Sequence, residues 1–142
     1  MKVKELYHVG IPVDDLDRAQ KFYTEVLGME FMGRVGRNPN NPDALEIHGK
    51  VQRLDRFRCG DNDVVLFERP KPLERDALDQ DGIAHQAFEM DWNDYDGALR
   101  EAKKLGKFHR IVERSTGKTI YMFDSEGNYL ELHFATPGQK HG

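Results

Sequence analysis

The sequence predicts an α+β fold built from two tandem βαβββ modules, and three observations support this prediction. The stretch from His8 to Phe31 and the stretch from His85 to Phe108 follow the same plan, which indicates an internal repeat. Apolar residues recur at three- and four-residue spacing in the middle of each stretch, as in a helix with one buried face. Signs of three further strands follow each helix, separated by turn signals.

Each predicted helix begins at an acidic stretch and ends at a glycine. Residues 14–17 and 91–94 are rich in Asp and Asn, which cap free backbone N–H groups and suit the positive end of the helix dipole. Gly28 and Gly106 each follow a leucine at the other end, where glycine adopts the left-handed conformation that stops a helix. The two predicted helices therefore start and end at the same kinds of residue, although the interval from His to Gly is one residue longer in the second repeat.

The strands after the helices complete the two modules. The predicted strands are roughly 29–35, 51–59 and 63–69 in the first module, and roughly 107–113, 119–123 and 129–135 in the second. We expect one domain over residues 1–142, with module one at about 1–69, a linker at about 70–81, module two at about 82–135 and a tail at 136–142. Residues 36–43, without an apolar period, are predicted to be an inserted loop.

Composition and charge exclude several classes of protein. A chain of 142 residues with 38% hydrophobic and 32% charged residues is typical of one globular domain. The net charge of −4, without a basic block, argues against nucleic acid as a partner. No run approaches ~18 apolar residues, so we expect no membrane span. Cys59 is the only cysteine, which excludes an internal disulfide and favours a cytoplasmic location.

His8, His85 and Glu131 are the residues from which we predict function. Each lies in a predicted strand, and the two histidines occupy equivalent places in the repeat. Two neutral imidazoles and one carboxylate form a facial metal triad with open positions, which is typical of Fe(II) sites and also suits Mn, Ni or Zn. A single histidine on an apolar strand is more often a core or surface residue. The repetition, together with Glu131 in the last strand, favours the metal site.

Four segments of the sequence resemble those of a known protein superfamily. They are Tyr7–Leu16, Phe22–Met29, Gly82–Phe88 and Phe123–Leu132. Together they resemble the vicinal-oxygen-chelate superfamily, which includes glyoxalases, extradiol dioxygenases, epimerases, fosfomycin-resistance thiol transferases and bleomycin-binding proteins. The resemblance covers nearly the whole chain. It implies a cupped half-barrel around one site, a divalent metal held by His8, His85 and Glu131, a small-molecule substrate and a homodimer packed through edge strands or swapped modules.

Glyoxalases and epimerases of this superfamily take a fourth ligand, Glu or Gln, from the last strand of module one. Laying residues 65–67 over residues 132–134 places Val64 opposite Glu131 in the repeat. Glu68 lies on the same face as Val64, but roughly 13 Å further along the strand. We therefore predict no fourth protein ligand unless the register is shifted. Three ligands leave three octahedral positions for substrate, oxygen or water.

Open metal positions favour a substrate that itself chelates the metal, and the first hypothesis is a ring-cleaving dioxygenase with Fe(II) or Mn(II). Tyr121 stands ten residues before Glu131, as in extradiol dioxygenases. Ser125 replaces the Pro of those enzymes, and His109 is too far upstream to be their acid–base histidine. We predict Tyr121 as a catalytic residue. His133 shares the predicted face of Glu131 and is a second catalytic candidate.

Two alternatives remain open. One is a glyoxalase-like lyase or isomerase or a fosfomycin-type thiol transferase, since residues 119–121 and 131–133 resemble the latter and Lys118 and Arg114 could meet an anionic group. However, those transferases bind the phosphonate with an arginine that follows their Glu-x-His sequence, and this chain has no arginine after Arg114. The other alternative is a metal-free binding protein of the bleomycin-sequestering kind, which needs none of the triad residues.

The remaining charged and imidazole side chains carry weaker expectations. Arg53, Arg56 and Arg58 lie near Asp55 on one predicted strand. We expect them to share a face, either as a solvated outer surface or as a pocket wall that selects an anionic substrate. The histidines expected to be exposed are His48, His109 and His141.

Overall fold

The computed structural model describes residues 1–36, 40, 46–47, 50–69 and 85–138. The chain divides into two compact units, Met1–Glu74 and Arg75–Gly142, which we call unit 1 and unit 2. Each unit has one four-stranded sheet and a helix between its first and second strands, so the predicted α+β class and the two βαβββ modules are confirmed. The predicted linker, most of the predicted loop, His48 and His141 lie outside the described residues.

Unit 1 forms a mixed sheet with a helix on one face. Its elements are β1 (His8–Val13), α1 (Leu16–Lys21, continued by a π-helical turn at Phe22–Val26), β2 (Glu30–Gly36), β3 (Glu46–Ile47), β4 (Lys50–Val51), β5 (Arg53–Cys59) and β6 (Asn62–Glu68). The strand order is β1-β6-β5-β2, and only β1 and β6 run parallel within this sheet. The short β3–β4 ribbon forms a separate pair that the sequence did not predict.

Unit 2 repeats this topology. Its elements are β7 (Gln86–Met90), a 3-10 turn (Trp92–Asp94), α2 (Tyr95–Lys104), β8 (Phe108–Arg114), β9 (Gly117–Phe123) and β10 (Tyr129–Ala135). The strand order is β7-β10-β9-β8, with β7 and β10 parallel. Within the described ranges, no helix is long and apolar enough to cross a membrane.

The helix boundaries follow the sequence signals. The Asp15 side chain accepts a hydrogen bond from the backbone N–H three residues on (3.0 Å), and Asp91 accepts one from the N–H two residues on (2.8 Å). Beyond the helices, Gly28 and Gly106 both have a φ of 68°, the left-handed conformation that ends a helix. The predicted acidic starts and glycine ends are therefore confirmed in both units.

The strand registers relate the two units residue by residue. The residue two positions after His8 lies opposite Val65 in the β1–β6 pair. The residue two positions after His85 lies opposite Glu131 in the β7–β10 pair. Because His8 and His85 are equivalent in the repeat, Val65 corresponds to Glu131. The predicted alignment of Val64 with Glu131 was wrong by one residue, since the continuous apolar run in β6 gives no alternation to fix the register.

Glu68 lies on the helix-facing side of β6, together with Val64. Its carboxylate accepts two hydrogen bonds from Arg53, at 2.9 and 3.0 Å. Successive strand residues point to opposite faces, so Arg56 and Arg58 lie on the other side of the sheet, which also carries Val65. The expectation that all three arginines share a face was therefore wrong.

The turn between β9 and β10 is fixed by one buried carboxylate. Asp124 accepts hydrogen bonds from the backbone N–H groups of Glu126 (2.7 Å) and Asn128 (2.8 Å), and from the Asn128 side-chain amide (2.8 Å). This turn sets the register of the hairpin, in which Tyr121 lies directly opposite Glu131. The ten-residue spacing seen in the sequence is thus the spacing of a cross-strand pair.

Candidate metal site

Two of the three predicted metal ligands lie beside each other in unit 2. His85 immediately precedes β7, rather than lying within the strand as predicted, and Glu131 is in the neighbouring β10. The His85 Nε2 atom lies 3.8 Å from Glu131 Oε1. Metal–nitrogen and metal–oxygen bonds of about 2.1 Å each allow two donors of one ion to be up to about 4.2 Å apart. Adjacent octahedral donors at these bond lengths lie about 3.0 Å apart, so the 3.8 Å gap brings both side chains near one shared divalent metal, and a small side-chain rotation would complete the geometry.

Glu131 is held in place from the adjacent strand. The Tyr121 hydroxyl donates a hydrogen bond of 2.5 Å to Glu131 Oε1. Arg114 Nη2 donates to the Tyr121 hydroxyl at 2.8 Å and lies 3.8 Å from Glu131 Oε1. The Tyr121 hydroxyl and the Arg114 guanidinium therefore fix the orientation of the Glu131 carboxylate.

The Tyr121 phenol stays protonated in this setting. Burial raises the pKa of Tyr121, and the hydrogen bond and negative charge of Glu131 raise it further, while Arg114 opposes the shift. The Arg110 guanidinium also lies over the Tyr121 ring, 4.9 Å from its centroid. Tyr121 is therefore a neutral hydrogen-bond donor bordered by two cations.

An aromatic wall continues from Tyr121 along the sheet. The Tyr129 ring stacks on that of Tyr121, with 5.5 Å between centroids and 13° between planes, and His85 contacts both rings edge-on at 6.4 Å. His109 Nδ1 lies 2.5 Å from the Tyr129 hydroxyl. The expectation that His109 is exposed was wrong. It lies in β8 where the register shifts, and such a bulge re-aims a side chain without a clear sequence signal.

His133 lies two residues after Glu131 and is buried. Its Nδ1 atom lies 3.1 Å from the hydroxyl of Thr119, the residue opposite it in β9. The same hydroxyl accepts a hydrogen bond of 3.3 Å from Arg114 Nε. His133 is therefore joined through Thr119 to the cluster around Glu131, and its catalytic role stays a prediction.

Lys118 does not accompany Arg114. Its Nζ atom lies over the rings of Trp92 and Tyr95, 5.5 and 4.7 Å from their centroids. Lys118 is one residue away from Thr119 on β9 and so points to the opposite, helix-facing side of the sheet. Of the two cations that the sequence offered for an anionic group, Arg114 is the one beside Glu131.

His8, the third predicted ligand, lies in β1 of unit 1. It is opposite Asp63 of β6 and lines a cleft of about 280 Å³. Within either unit, the described residues contain no group of three or more His, Cys, Asp and Glu side chains that could hold a metal. The pair in unit 2 is thus a partial ligand set, and His8 stays a predicted ligand.

Comparison with known proteins identifies the family. The model of the Glyoxalase/Bleomycin resistance protein/Dioxygenase superfamily matches residues 5–132. The chain belongs to this superfamily, which agrees with the resemblance found in the sequence and with the repeated βαβββ topology.

Individual relatives are distant but cover most of the chain. The uncharacterized protein YwkD of Bacillus subtilis (strain 168) is 27% identical over 137 residues, covering 94% of this chain and 98% of that protein. The glutathione transferase FosA of Serratia marcescens is 24% identical over 136 residues, covering 92% and 81%. A variant of the fosfomycin resistance protein FosX from Listeria monocytogenes, complexed with Mn(II) and 1S,2S-dihydroxypropylphosphonic acid, has a TM-score of 0.69 at 20% identity and 96% coverage of both chains.

Proposed function

We propose that this chain is a divalent-metal enzyme that acts on a small substrate able to bind the metal through two oxygen atoms. His8, His85 and Glu131 are the proposed ligands. The observation that carries the proposal is the His85–Glu131 pair, whose 3.8 Å separation brings both donors near one shared ion. Mn(II) in the FosX structure supports a metal of this kind. Fe, Ni and Zn suit the same ligand types.

When bound, the metal supplies Lewis acidity, which polarises a substrate oxygen and orients the substrate. The surrounding side chains orient the carboxylate ligand, bind the substrate and carry a proton. Tyr121 and Arg114 orient Glu131, and Arg114, with its side chain 43% exposed, offers N–H donors to an anionic substrate oxygen. His133 is the proposed proton carrier, because its imidazole is joined through the Thr119 hydroxyl to Arg114 beside Glu131.

Two reaction classes fit this arrangement, and the relatives favour the first. In a transferase or hydrolase, a thiol or water attacks an electrophilic carbon of the substrate, the C–O bond at that carbon breaks, and the departing oxygen takes up the proton that the nucleophile loses. The likeness to FosA, a glutathione transferase, and the cation beside Glu131 support this class. The second is ring-cleaving dioxygenation, which Tyr121 supports because it lies directly opposite the carboxylate ligand, as the spacing in extradiol enzymes implies.

Two assays separate these classes on protein loaded with Mn(II) or with Fe(II). Fosfomycin is incubated with or without glutathione and followed by phosphorus NMR, while a series of catechols is followed by oxygen uptake. Turnover in one assay assigns the class, and Glu131→Gln should reduce it at least a hundredfold, because this change removes an anionic ligand. Turnover that Glu131→Gln leaves intact would contradict the proposal.

A third possibility, a metal-free binding protein, is disfavoured by the cluster itself. Such a protein has no need to keep a carboxylate on the same face as Tyr121 and beside His85. Here the Glu131 carboxylate is oriented by Tyr121 and Arg114 and lies 3.8 Å from His85 Nε2, as a shared metal ligand would.

A further inference from the structure

Unit 1 contains a cleft on the sheet face that carries His8. Its volume is about 280 Å³. The apolar lining residues are Val35, Leu54, Val65 and Phe67. Val65 forms a buried floor, whereas Leu54 and Phe67 are only half-buried and Val35 is exposed. One side of the cleft is therefore apolar and partly exposed.

Gly10 makes room for the aromatic wall of this cleft. A Cβ atom at Gly10 would lie 3.1 Å from the ring edge of Phe67, so the ring rests against the bare backbone of β1. The centroid of the Phe67 ring lies 6.5 Å from that of His8. The apolar wall thus extends to the proposed metal ligand of unit 1.

Three of the four equivalent positions in unit 2 are polar, and the fourth, opposite Thr119, is Val112. The strand registers define three corresponding pairs, which are Val65 and Glu131, Phe67 and His133, and Leu54 and Thr119. Hydrocarbon side chains in unit 1 therefore occupy the positions at which unit 2 has a carboxylate, an imidazole and a hydroxyl. At these three positions the sheet face of unit 2 therefore carries polar groups, whereas the same face of unit 1 is apolar.

Two arginines give the polar side of the cleft a net positive charge. Arg56 lines the cleft and its Nη2 atom lies 2.8 Å from Asp63 Oδ2, while Arg58 Nη1 lies 3.4 Å from Asp63 Oδ1. Two guanidinium groups thus share one carboxylate. The Arg56 side chain is 52% exposed, so its remaining N–H groups are open to an anion.

We propose that this cleft binds the apolar body of a small anionic molecule, whose negative group is held by Arg56. We assign this molecule as the substrate of the proposed metal enzyme, so the inference rests on the proposed function. A dry cavity of about 150 Å³ holds a benzene molecule. A cleft of about 280 Å³ therefore takes a ring with a short side chain. The substrate class is an aryl or branched-alkyl anion, more apolar than the dihydroxypropylphosphonic acid bound in FosX.

Calorimetric titration with two probes tests this assignment. Phenylphosphonate and methylphosphonate share the anionic group and differ in the apolar body. The full chain, before and after Mn(II) loading, should bind phenylphosphonate at least tenfold more tightly. Phe67→Ala should reduce this ratio to near one, because it removes the aromatic wall. Arg56→Gln should weaken both probes by a similar factor and keep the ratio.

Two further variants make the result decisive. Met32→Ala removes an exposed apolar side chain of β2 that does not line the cleft, and it should bind both probes like the unaltered protein. Leu54→Trp fills the cleft instead of emptying it, and it should lose the preference for phenylphosphonate. Circular dichroism checks that each variant folds.

Equal binding of the two probes by the unaltered protein would overturn the inference, as would a Phe67→Ala variant that behaves like Met32→Ala. Failure of the proposed function gives a different pattern. If the phenyl preference is present but Mn(II) does not bind, the apolar site stands and the metal enzyme fails. If Mn(II) binds and the preference is absent, only the apolar site fails.

Discussion

Tyr121 is the side chain through which the charged groups of unit 2 are connected. Its hydroxyl accepts a hydrogen bond from Arg114 and donates one to Glu131, and its ring lies beneath Arg110. The pKa of Tyr121 in the folded protein is raised, first by burial and then by Glu131. A raised pKa means that the stabilising contribution of the neutral phenol is present below pH ~10, its unfolded value, and is lost as pH rises through the folded pKa.

The raised pKa can be measured from the absorbance of tyrosinate. We expect the difference between the alkaline titrations of the unaltered, chelator-treated protein and Tyr121→Phe to show one phenol that ionises above pH 10. The chain has five tyrosines, and the subtraction isolates this one. A difference curve with its midpoint at or below pH 10 would contradict the described environment.

Gly117 at the start of β9 should tolerate no side chain. It has a φ of 155°, and a Cβ atom there would overlap the Phe134 carbonyl oxygen and lie 2.9 Å from Ala135 Cα. Both neighbours are backbone, so relief requires a shift of β10. We expect Gly117→Ala to lower the free energy of unfolding by roughly 2–4 kcal/mol, measured by urea denaturation.

Gly36→Ala is the matched control for this substitution. It lies in β2 without a left-handed φ, and nothing lies within 4 Å of the position that an added methyl group would occupy. Gly36→Ala should change the free energy of unfolding by no more than about 0.5 kcal/mol. Equal effects of the two substitutions would show that the close approach of Gly117 to β10 is not present in solution.

At the residue scale, the sequence predicted candidate ligands but not their neighbours. Repetition led to the prediction of His85, and the last-strand position led to that of Glu131. Arg114 was offered only as a cation for an anionic group, together with Lys118, because strand alternation alone does not show which cation faces Glu131. His109 was missed as a partner of Tyr129, because no local signal marked the bulge that places it there.

At the scale of elements, the sequence predicted both helices and all six longer strands that follow them. Helix starts and ends carry local chemistry, an Asp cap and a left-handed glycine, so they can be identified from single residues. The register of β6 could not be identified in this way. All its central side chains are apolar, because both faces of that strand are covered or line the cleft. The resulting one-residue error exchanged Val64 for Val65.

Helix α2 contains a glycine whose replacement should stabilise the protein. Gly97 lies in the first turn of α2, and the nearest atom to an added Cβ is the flexible end of Arg100, at 3.9 Å. Alanine fits this space and has the higher helix propensity. We expect Gly97→Ala to raise the free energy of unfolding by roughly 0.5–1 kcal/mol in urea denaturation. A loss of stability would indicate that α2 does not include this residue.

At the scale of the whole molecule, the two units have the same topology and different chemistry. Because the module is repeated, one sequence pattern predicted the topology of both units. The repeat also explains why the apolar cleft of unit 1 was not predicted, since its lining depends on the register of β6. Only the strand pairing shows that Val65 and Glu131 are equivalent positions.

The family resemblance also implies a homodimer, which is a property of the whole molecule. We expect light scattering of the purified protein to give a mass about twice that of the 16.4 kDa chain. Among the described residues, two exposed apolar side chains on the edge strands away from the cleft offer contact surface for a second copy. They are Phe31 and Ile111. A mass equal to one chain at all concentrations would contradict this expectation.

The metal content of the protein tests the central claim most directly. Protein purified without oxygen is analysed by mass spectrometry beside His8→Ala, Glu131→Ala and the control Glu113→Ala, which removes an exposed carboxylate of β8. We predict about one divalent ion per chain in the unaltered protein and the control, and its loss in the other two variants. No bound metal after reconstitution, or equal metal content in all four proteins, would contradict the proposed site.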